Sequence, residues 1–269
     1  MSDILEEIVA HKRIEVGRAK LLKPASMLYK QVENYIENGV HKVISLSNRL
    51  RESDSGIIAE FKRRSPSKGW IKESGKPDII PPSYSKQGAS GISILTDERY
   101  FGGCQEYVQT ARPLVPDTPI LRKDFIIDEY QLFEARLIGA DAVLLIASDL
   151  KKEECHNLAR TAHELGLETL LEIHTETELD YVGEHINMVG VNNRHLGTFH
   201  TDVATSYRLA SMLPKDYVLI SESGISQPQT VRELREAGFR GFLIGETFMR
   251  HDDPGKALGK FIKTVVGEH

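Results

Sequence analysis

Short apolar runs alternate with amphipathic segments along most of this chain. The runs are rich in Val, Ile and Leu and have the length of single buried strands. Between them, apolar residues recur at helical spacing, as over residues 130–137, 153–165, 202–212 and 229–237. Because helices separate the strands, the pattern indicates parallel βαβ units. The eight predicted strands span residues 56–61, 92–95, 120–121, 142–146, 169–173, 188–191, 218–220 and 241–244.

Eight βα units in a chain of 269 residues favour a closed barrel, because one (β/α)8 barrel usually has about this size. An open sheet that binds dinucleotides needs a glycine-rich turn after its first strand. Residues 62–66 (KRRSP) follow the first strand here and do not match that requirement. We therefore predict an α/β protein with a single TIM-barrel domain over residues 1–269.

The N-terminal segment has a helical pattern of its own before the first strand. Leu5 and Ile8 begin an apolar stripe whose opposite face is charged, and a second helical stretch covers residues 24–37. We expect residues 1–50 to form a helical extension packed on the barrel.

Composition and charge narrow the range of partners. The net charge is -5 and the pI is near 6.1, which argues against nucleic-acid and anionic-membrane partners. Residues 1–7 carry acids where a signal peptide needs basic residues, and the longest clear apolar run, 142–147, is too short to span a bilayer. Cys104 and Cys155 lack CxxC spacing, so we expect free thiols and a cytoplasmic protein.

Charged and amide side chains stand where the predicted strands end, which is where barrel enzymes carry their chemistry. Glu60 and Lys62 stand at the end of the first strand and point the same way by the two-residue period of a strand. Such charges are costly at one barrel mouth unless they are paired or used, so we predict a catalytic site; a salt-bridge network is the structural alternative. The later strands contribute Lys123, Glu172, Asn192, Arg194, Glu222 and Glu246.

Two short turns with glycine follow the last two strands, at residues 222–225 (ESGI) and 244–247 (IGET). We expect each turn to open a helix, and backbone N–H groups at such turns bind phosphate. The loops after strands seven and eight are also the usual phosphate site of barrels. The turns predict a phosphorylated metabolite as substrate, the alternative being that Gly224 and Gly245 only permit tight turns.

Several segments together resemble the indole-3-glycerol phosphate synthase family. The most distinctive is residues 58–67 (IAEFKRRSPS), and the resemblance covers nearly the whole chain. Each segment is a weak signal alone, but the combination is specific. The others are residues 8–13 (IVAHKR), 94–97 (ILTD), 100–103 (YFGG), 121–126 (LRKDFI), 171–173 (LEI), 190–194 (GVNNR), 221–225 (SESGI) and 243–246 (LIGE).

The resemblance implies a reaction without cofactor or metal. In it, 1-(2-carboxyphenylamino)-1-deoxyribulose 5-phosphate becomes indole-3-glycerol phosphate, carbon dioxide and water. It implies Lys123 as general acid in ring closure and Glu172 as general base in dehydration. Lys62 either holds the substrate carboxylate or acts as the acid in dehydration. Glu60 and Asn192 are implied to orient these groups and the sugar hydroxyls.

The same resemblance implies the residues that bind substrate. Arg194 and Ser65 fall where the anthranilate carboxylate is met, and Phe101 where the aromatic ring packs. The chain departs from the family at His195, where an acid is usual, and this difference bears on hydrogen bonding in that loop. The polar and phosphate-binding end is implied to comprise Glu222, Ser223, Gly224, Gly245 and Glu246.

Other functions stay open at this point. A Schiff-base aldolase would need Lys62 or Lys123 to be partly neutral. A metal hydrolase would need His174, His195 and His200, whose spacing matches no HExxH motif. A phosphosugar-binding barrel without catalysis would keep the phosphate turns alone.

Two further expectations concern behaviour in solution. Residues 63–72 contain Ser67, Lys68 and Gly69, a composition that suits a mobile lid. We expect a monomer or a weak dimer that takes a small phosphorylated substrate.

Overall fold

Residues 4–194 and 200–267 are described by the structure, a computed structural model, and within them eight parallel strands close into a barrel. Each barrel strand pairs with the next along the chain, and the last pairs with the first. The predicted (β/α)8 architecture is therefore confirmed. In chain order the strands are β1 (Ile57–Phe61), the hairpin strands β2 (Arg64–Ser65) and β3 (Gly69–Trp70), and then β4 (Gly91–Leu95), β5 (Ile120–Lys123), β6 (Ala142–Ile146), β7 (Glu168–Ile173), β8 (Met188–Asn192), β9 (Val218–Glu222) and β10 (Gly241–Ile244).

Helices follow the strands and surround the barrel. The predicted helix over 153–165 agrees within one residue, whereas the one over 202–212 is shorter, because the chain turns before and after it. The helices are α1 (Ile4–Leu22), α2 (Ala25–Glu37), α3 (Leu46–Glu52), α4 (Ile80–Lys86), α5 (Glu98–Phe101), α6 (Gln105–Ala111), α7 (Glu129–Leu137), α8 (Lys152–Glu164), α9 (Ala204–Ala210), α10 (Pro228–Glu236), α11 (Glu246–Met249) and α12 (Pro254–Val266).

Alternation along the strands divides the core into two layers. On β6, Leu144 packs inside the barrel, while Val143 and Leu145 pack outward against the helices. The same two-residue period holds on β1, where Ile58 points inward and Ile57 outward. Both faces of the barrel strands are buried, so these strands appear in the sequence as nearly continuous apolar runs.

The N-terminal helices cover both ends of the barrel. Leu46 and Leu50 of α3 lie against the first residues of β4 and β10, at the amino-terminal end. Helix α1 lies at the carboxyl end, where the ammonium of Lys12 meets Asp97 at 3.0 Å. No helix within residues 4–194 and 200–267 is long and apolar enough to cross a membrane.

Candidate active site

A cavity of about 680 Å³ opens at the carboxyl ends of the barrel strands. It is the place where the fold brings the predicted site residues together. Ser65 is the exception, since it lies on β2 with its hydroxyl buried and without a hydrogen-bond partner among the described residues. The predicted residues that line the cavity are Glu60, Lys62, Phe101, Lys123, Glu172, Asn192, Arg194, Glu222, Ser223, Gly224, Gly245 and Glu246.

Lys123 lies between two carboxylates at the centre of the cavity. It is the last residue of β5, and its Nζ donates to Glu172 at 2.8 Å and to Glu222 at 2.9 Å. Burial alone would lower the pKa of Lys123, but Glu172 and Glu222 outweigh burial and raise that pKa above its ordinary value. The site thus holds a charged ammonium that can deliver a proton.

Glu172 is kept ionised by its neighbours. Its Oε2 accepts from Lys123, and its Oε1 accepts from the amide of Asn192 at 2.9 Å. Burial would raise the pKa of Glu172, but Lys123 and then His174 outweigh burial and lower it to about 2. A carboxylate that is ionised and held by two donors can serve as a proton acceptor.

Glu222 contacts the same lysine, but its pKa is shifted in the opposite direction. Burial raises its pKa to about 7; Lys123 opposes this increase, and repulsion from Glu172 adds to it. Its Oε1 is buried and has no hydrogen-bond partner among the described residues. Two carboxylates share one ammonium, so the second binds a proton more readily than an ordinary glutamate.

Because the pKa of Glu222 is raised, the difference in stability between a Glu222→Gln variant and wild type should depend on pH. The folded pKa of Glu222 lies above its unfolded value, so between about pH 4.5 and 7 the folded wild type binds the extra proton and loses stability as pH rises. Glutamine resembles the neutral carboxyl group and does not ionise, so the variant does not lose stability in this way. From pH 5 to pH 8 the variant should therefore gain about 1–3 kcal/mol relative to wild type. Urea unfolding at both pH values measures this, and a pH-independent difference would contradict it.

Glu60 holds the second lysine of the site. The Nζ of Lys62 lies 2.6 Å from Glu60 Oε1. The turn after β10 approaches this carboxylate so closely that a Cβ on Gly245 would lie 2.6 Å from the same oxygen. Glu60 and Asn192, predicted as an orienting pair, thus act on different groups: Glu60 on Lys62, and Asn192 on Glu172.

Gly190 on β8 provides the space that Glu222 occupies. A Cβ at this position would lie 2.2 Å from Glu222 Oε1, which is too close, so the carboxylate would have to move. Gly190→Ala should therefore displace the carboxylate from Lys123 and lower kcat/KM by about tenfold or more, since displacements near 1 Å cost up to about 100-fold. Steady-state kinetics measure the effect.

The matched control is Gly17→Ala on α1, where an added Cβ meets nothing within 4 Å. This variant should keep wild-type kinetics, and alanine should make the helix slightly more stable. Wild-type kinetics in Gly190→Ala would show that Glu222 does not need its observed position.

An apolar wall faces these charged groups. The rings of Phe101 and Phe125 lie 5.9 Å apart, and Leu144 and Ile146 of β6 continue the wall. Of these residues, only Phe101 was expected from the sequence. The inward-facing positions of β6 could have identified Leu144 and Ile146, because they alternate with outward-facing core residues.

The polar end of the cavity offers open backbone N–H groups. Ser223 and Gly224 have φ values of 68° and 75°, and the N–H groups of Gly224 and Gly245 find no acceptor among the described residues. The turn at Gly245 opens α11 directly, as predicted. The turn at Gly224 does not open a helix, because α10 begins only at Pro228. Residues that line this end and were not predicted are Lys68, Ser226, Thr247 and Arg250.

Arg194 and the adjoining loop complete the lining. The Arg194 guanidinium donates to Thr201 at 3.3 Å and to Ser67 at 3.5 Å. Through Ser67 it reaches the segment predicted as a mobile lid, where β2 and β3 form a hairpin. The mobility of this hairpin stays a prediction, and His195 lies outside the described residues.

The histidines do not form a metal site within residues 4–194 and 200–267. No group of three or more metal-binding side chains comes together there. His174 packs against Glu172 and Glu178, with its Nε2 3.4 Å from the Glu172 carboxylate, whereas His200 lines the cavity. The site instead combines ammonium and carboxylate groups with open amides. Together with the barrel, these features are typical of an α/β-barrel enzyme that uses acid–base chemistry.

Comparison with known proteins identifies the family. The family model of indole-3-glycerol phosphate synthase matches residues 5–261 of this chain, and the chain belongs to that family. An indole-3-glycerol phosphate synthase of Bacteroides thetaiotaomicron is 59% identical over 98% of this chain and 100% of its own length. One of Salinibacter ruber is 43% identical over 96% of this chain and 94% of its own length.

Solved structures with low sequence identity share the architecture. The thiamine phosphate pyrophosphorylase of Pyrococcus furiosus aligns with a TM-score of 0.61 at 16% identity, covering 83% of this chain and 98% of that protein. This likeness shows the fold alone.

Proposed function

We propose that this chain converts 1-(2-carboxyphenylamino)-1-deoxyribulose 5-phosphate into indole-3-glycerol phosphate, carbon dioxide and water. The observation that carries the proposal is the placement of the Lys123 ammonium between Glu172 and Glu222, at the boundary of the apolar wall and the polar end. A substrate with an aromatic ring at one end and a phosphate at the other fits such a cavity. Family membership supports the same reaction.

The first step joins the ring to the sugar chain. The aromatic carbon that bears the carboxylate attacks the ketose carbonyl carbon, and the carbonyl oxygen takes a proton from Lys123. The new carbon–carbon bond interrupts the aromatic ring. Loss of carbon dioxide returns the electron pair of the broken bond to the ring and restores its aromatic character.

Dehydration completes the indole. Glu172 removes a proton from the carbon beside the nitrogen while the hydroxyl on the neighbouring carbon leaves as water. Lys62, held by Glu60 at 2.6 Å, supplies the proton to that hydroxyl. Glu172 and Lys123 are 2.8 Å apart, so the proton gained by the base can return to the acid. Two protons are given and one is taken, and solvent supplies the remaining one in each turnover.

Different parts of the substrate bind to different regions of the cavity. The apolar wall with Phe101 packs on the aromatic ring, and Arg194 meets the substrate carboxylate. The phosphate lies against the open N–H groups of Gly224 and Gly245, beside Ser223 and the turn carrying Glu246. Carboxylate and phosphate charges both favour protonated lysines in the cavity.

We further propose that residues 1–269 act as one domain in the cytoplasm, as a monomer or weak dimer. The side chains assigned to the reaction come from the ends of β1, β5, β7 and β8 of one barrel, which supports a single domain. No cofactor enters the proposed steps.

The Schiff-base alternative is disfavoured by charge. A lysine must be neutral to attack a carbonyl, and the two carboxylates beside Lys123 raise its pKa. Borohydride trapping with substrate tests this alternative directly.

The proposal is tested by turnover. Purified protein should form an indole chromophore and carbon dioxide from the substrate in equal amounts. Fluorescence measures the indole, and gas release measures the carbon dioxide. Substrate binding without either product would favour a phosphosugar-binding barrel instead.

A further inference from the structure

A second buried charge cluster ties α1 to the carboxyl ends of β4 and β5. The side chain of Lys12 is only 5% exposed, and its Nζ lies 3.0 Å from Asp97 Oδ2 and 3.0 Å from Asp124 Oδ1. Glu15, one turn further along α1, approaches the same ammonium at 2.5 Å. A helix of the N-terminal extension thus places a cation against two carboxylates of the barrel mouth.

Asp124 connects this cluster to the proposed acid. It follows Lys123 directly in the chain, and its Oδ1 accepts from the backbone N–H of Phe125 at 2.9 Å. Its Oδ2 accepts from Thr96 at 2.6 Å and from the guanidinium of Arg122 at 3.0 Å. One carboxylate therefore contacts the side chain of the residue before Lys123 and the backbone of the residue after Asp124.

Asp97 connects the cluster to the apolar wall. Its Oδ1 caps α5 by accepting from the N–H groups of Tyr100 at 2.8 Å and Phe101 at 3.3 Å. Its Oδ2 accepts no hydrogen bond within residues 4–194 and 200–267, and the ammonium of Lys12 is the cation it faces. The position of Phe101 thus depends on a carboxylate that Lys12 neutralises.

Charge balance explains why the ammonium matters. Asp97 and Asp124 are both buried, and buried carboxylates need a cation or a proton. Burial would raise the pKa of Asp124, but Lys12 and then Arg122 outweigh burial and lower it to about 2. Without Lys12, Asp124 keeps Arg122, which also lies 3.5 Å from Glu134. Asp97 keeps no salt-bridge partner within residues 4–194 and 200–267, so its carboxylate is expected to move.

We propose that Lys12 is a positioning residue for the ring-closing step, acting through Asp124 on Lys123 and through Asp97 on Phe101. The inference rests on the proposed function of that site. It assigns the N-terminal extension a role in the geometry of the reacting groups in addition to the packing of the fold.

Lys12→Met tests the proposal against a matched control on the same helix. We expect kcat to fall about 10- to 100-fold, since small displacements of a catalytic group have effects of that size, and KM to rise as Phe101 shifts. The control is Lys20→Met, which removes a partly exposed ion pair of 2.7 Å to Asp128, away from the cavity. It should change neither value by more than about twofold.

A double variant separates positioning from folding. In Lys12→Met with Asp97→Asn, Asp124 keeps Arg122 as its partner and asparagine still caps α5, so Tm should return close to the wild-type value. Asp124 Oδ1 still lacks the Lys12 ammonium, so the segment that carries Lys123 should stay displaced and kcat should stay low. Recovery of kcat together with Tm, or a kcat for Lys12→Met equal to that of Lys20→Met, would overturn the proposal.

Amide hydrogen exchange gives a result that does not need turnover. In Lys12→Met, the N–H groups of Tyr100, Phe101 and Phe125 should exchange at least tenfold faster than in wild type, while that of Asn193 should not change. Unchanged exchange at the first three amides would overturn the positioning role. A wild type without turnover would instead refute the proposed function, and the exchange result would still report on Lys12.

Discussion

Replacing Lys123 with alanine is expected to lower kcat by about 10²–10⁴, the usual loss when one positioned acid is removed. This corresponds to roughly 3–5 kcal/mol of barrier. The expectation follows from the position of Lys123, whose ammonium contacts both Glu172 and Glu222 and is kept protonated by them. Single-turnover kinetics, monitored through indole fluorescence, measure the rate of the chemical step.

The alanine variant also removes a cation from two buried carboxylates, so a second variant keeps the charge. Lys123→Arg retains a cation, but a guanidinium does not give up its proton at neutral pH. It should fold with near-native stability and remain as slow as Lys123→Ala. A wild-type rate in Lys123→Arg would show that positive charge alone is required, and that Lys123 is not the acid.

Replacing Glu172 with glutamine is expected to lower indole formation by about 10²–10⁴ while allowing carbon dioxide release to continue. Ring closure and decarboxylation precede the step that needs a base, so the decarboxylated alcohol should accumulate. Rapid quenching measures carbon dioxide and indole in the same samples.

The order in which carbon dioxide and indole appear distinguishes the possible roles of Glu172. Carbon dioxide released ahead of indole assigns Glu172 to dehydration. Equal loss of both products would place its role before decarboxylation and contradict the assignment. Glu176→Gln serves as the control, because Glu176 pairs with Arg208 at the surface and should leave both products unchanged.

The sequence predicted the barrel and most of the site because both depend on local patterns. Strand ends converge on one face of a parallel barrel, so Lys123 and Glu172 could be placed in a common mouth from their positions alone. The contact between them could not be predicted, because strand register and side-chain conformation bring Nζ within 2.8 Å of the carboxylate.

Features that depend on long-range packing were missed. The role of Lys12 in neutralising Asp97 and Asp124 joins residues far apart in the chain, and helical periodicity assigns Lys12 only a position on α1. The turn at Gly224 was expected to open a helix directly. The positive φ values at Ser223 and Gly224 lead the chain away first, and α10 begins at Pro228.

The most direct test of the proposed reaction is turnover of the carboxyphenylamino-deoxyribulose phosphate in excess EDTA, followed by indole fluorescence. Wild type should form indole-3-glycerol phosphate at an undiminished rate in chelator, and Lys123→Ala should lose that activity by orders of magnitude. Substrate that binds to the wild-type protein without forming indole, or activity that disappears in EDTA, would contradict acid–base catalysis by these side chains.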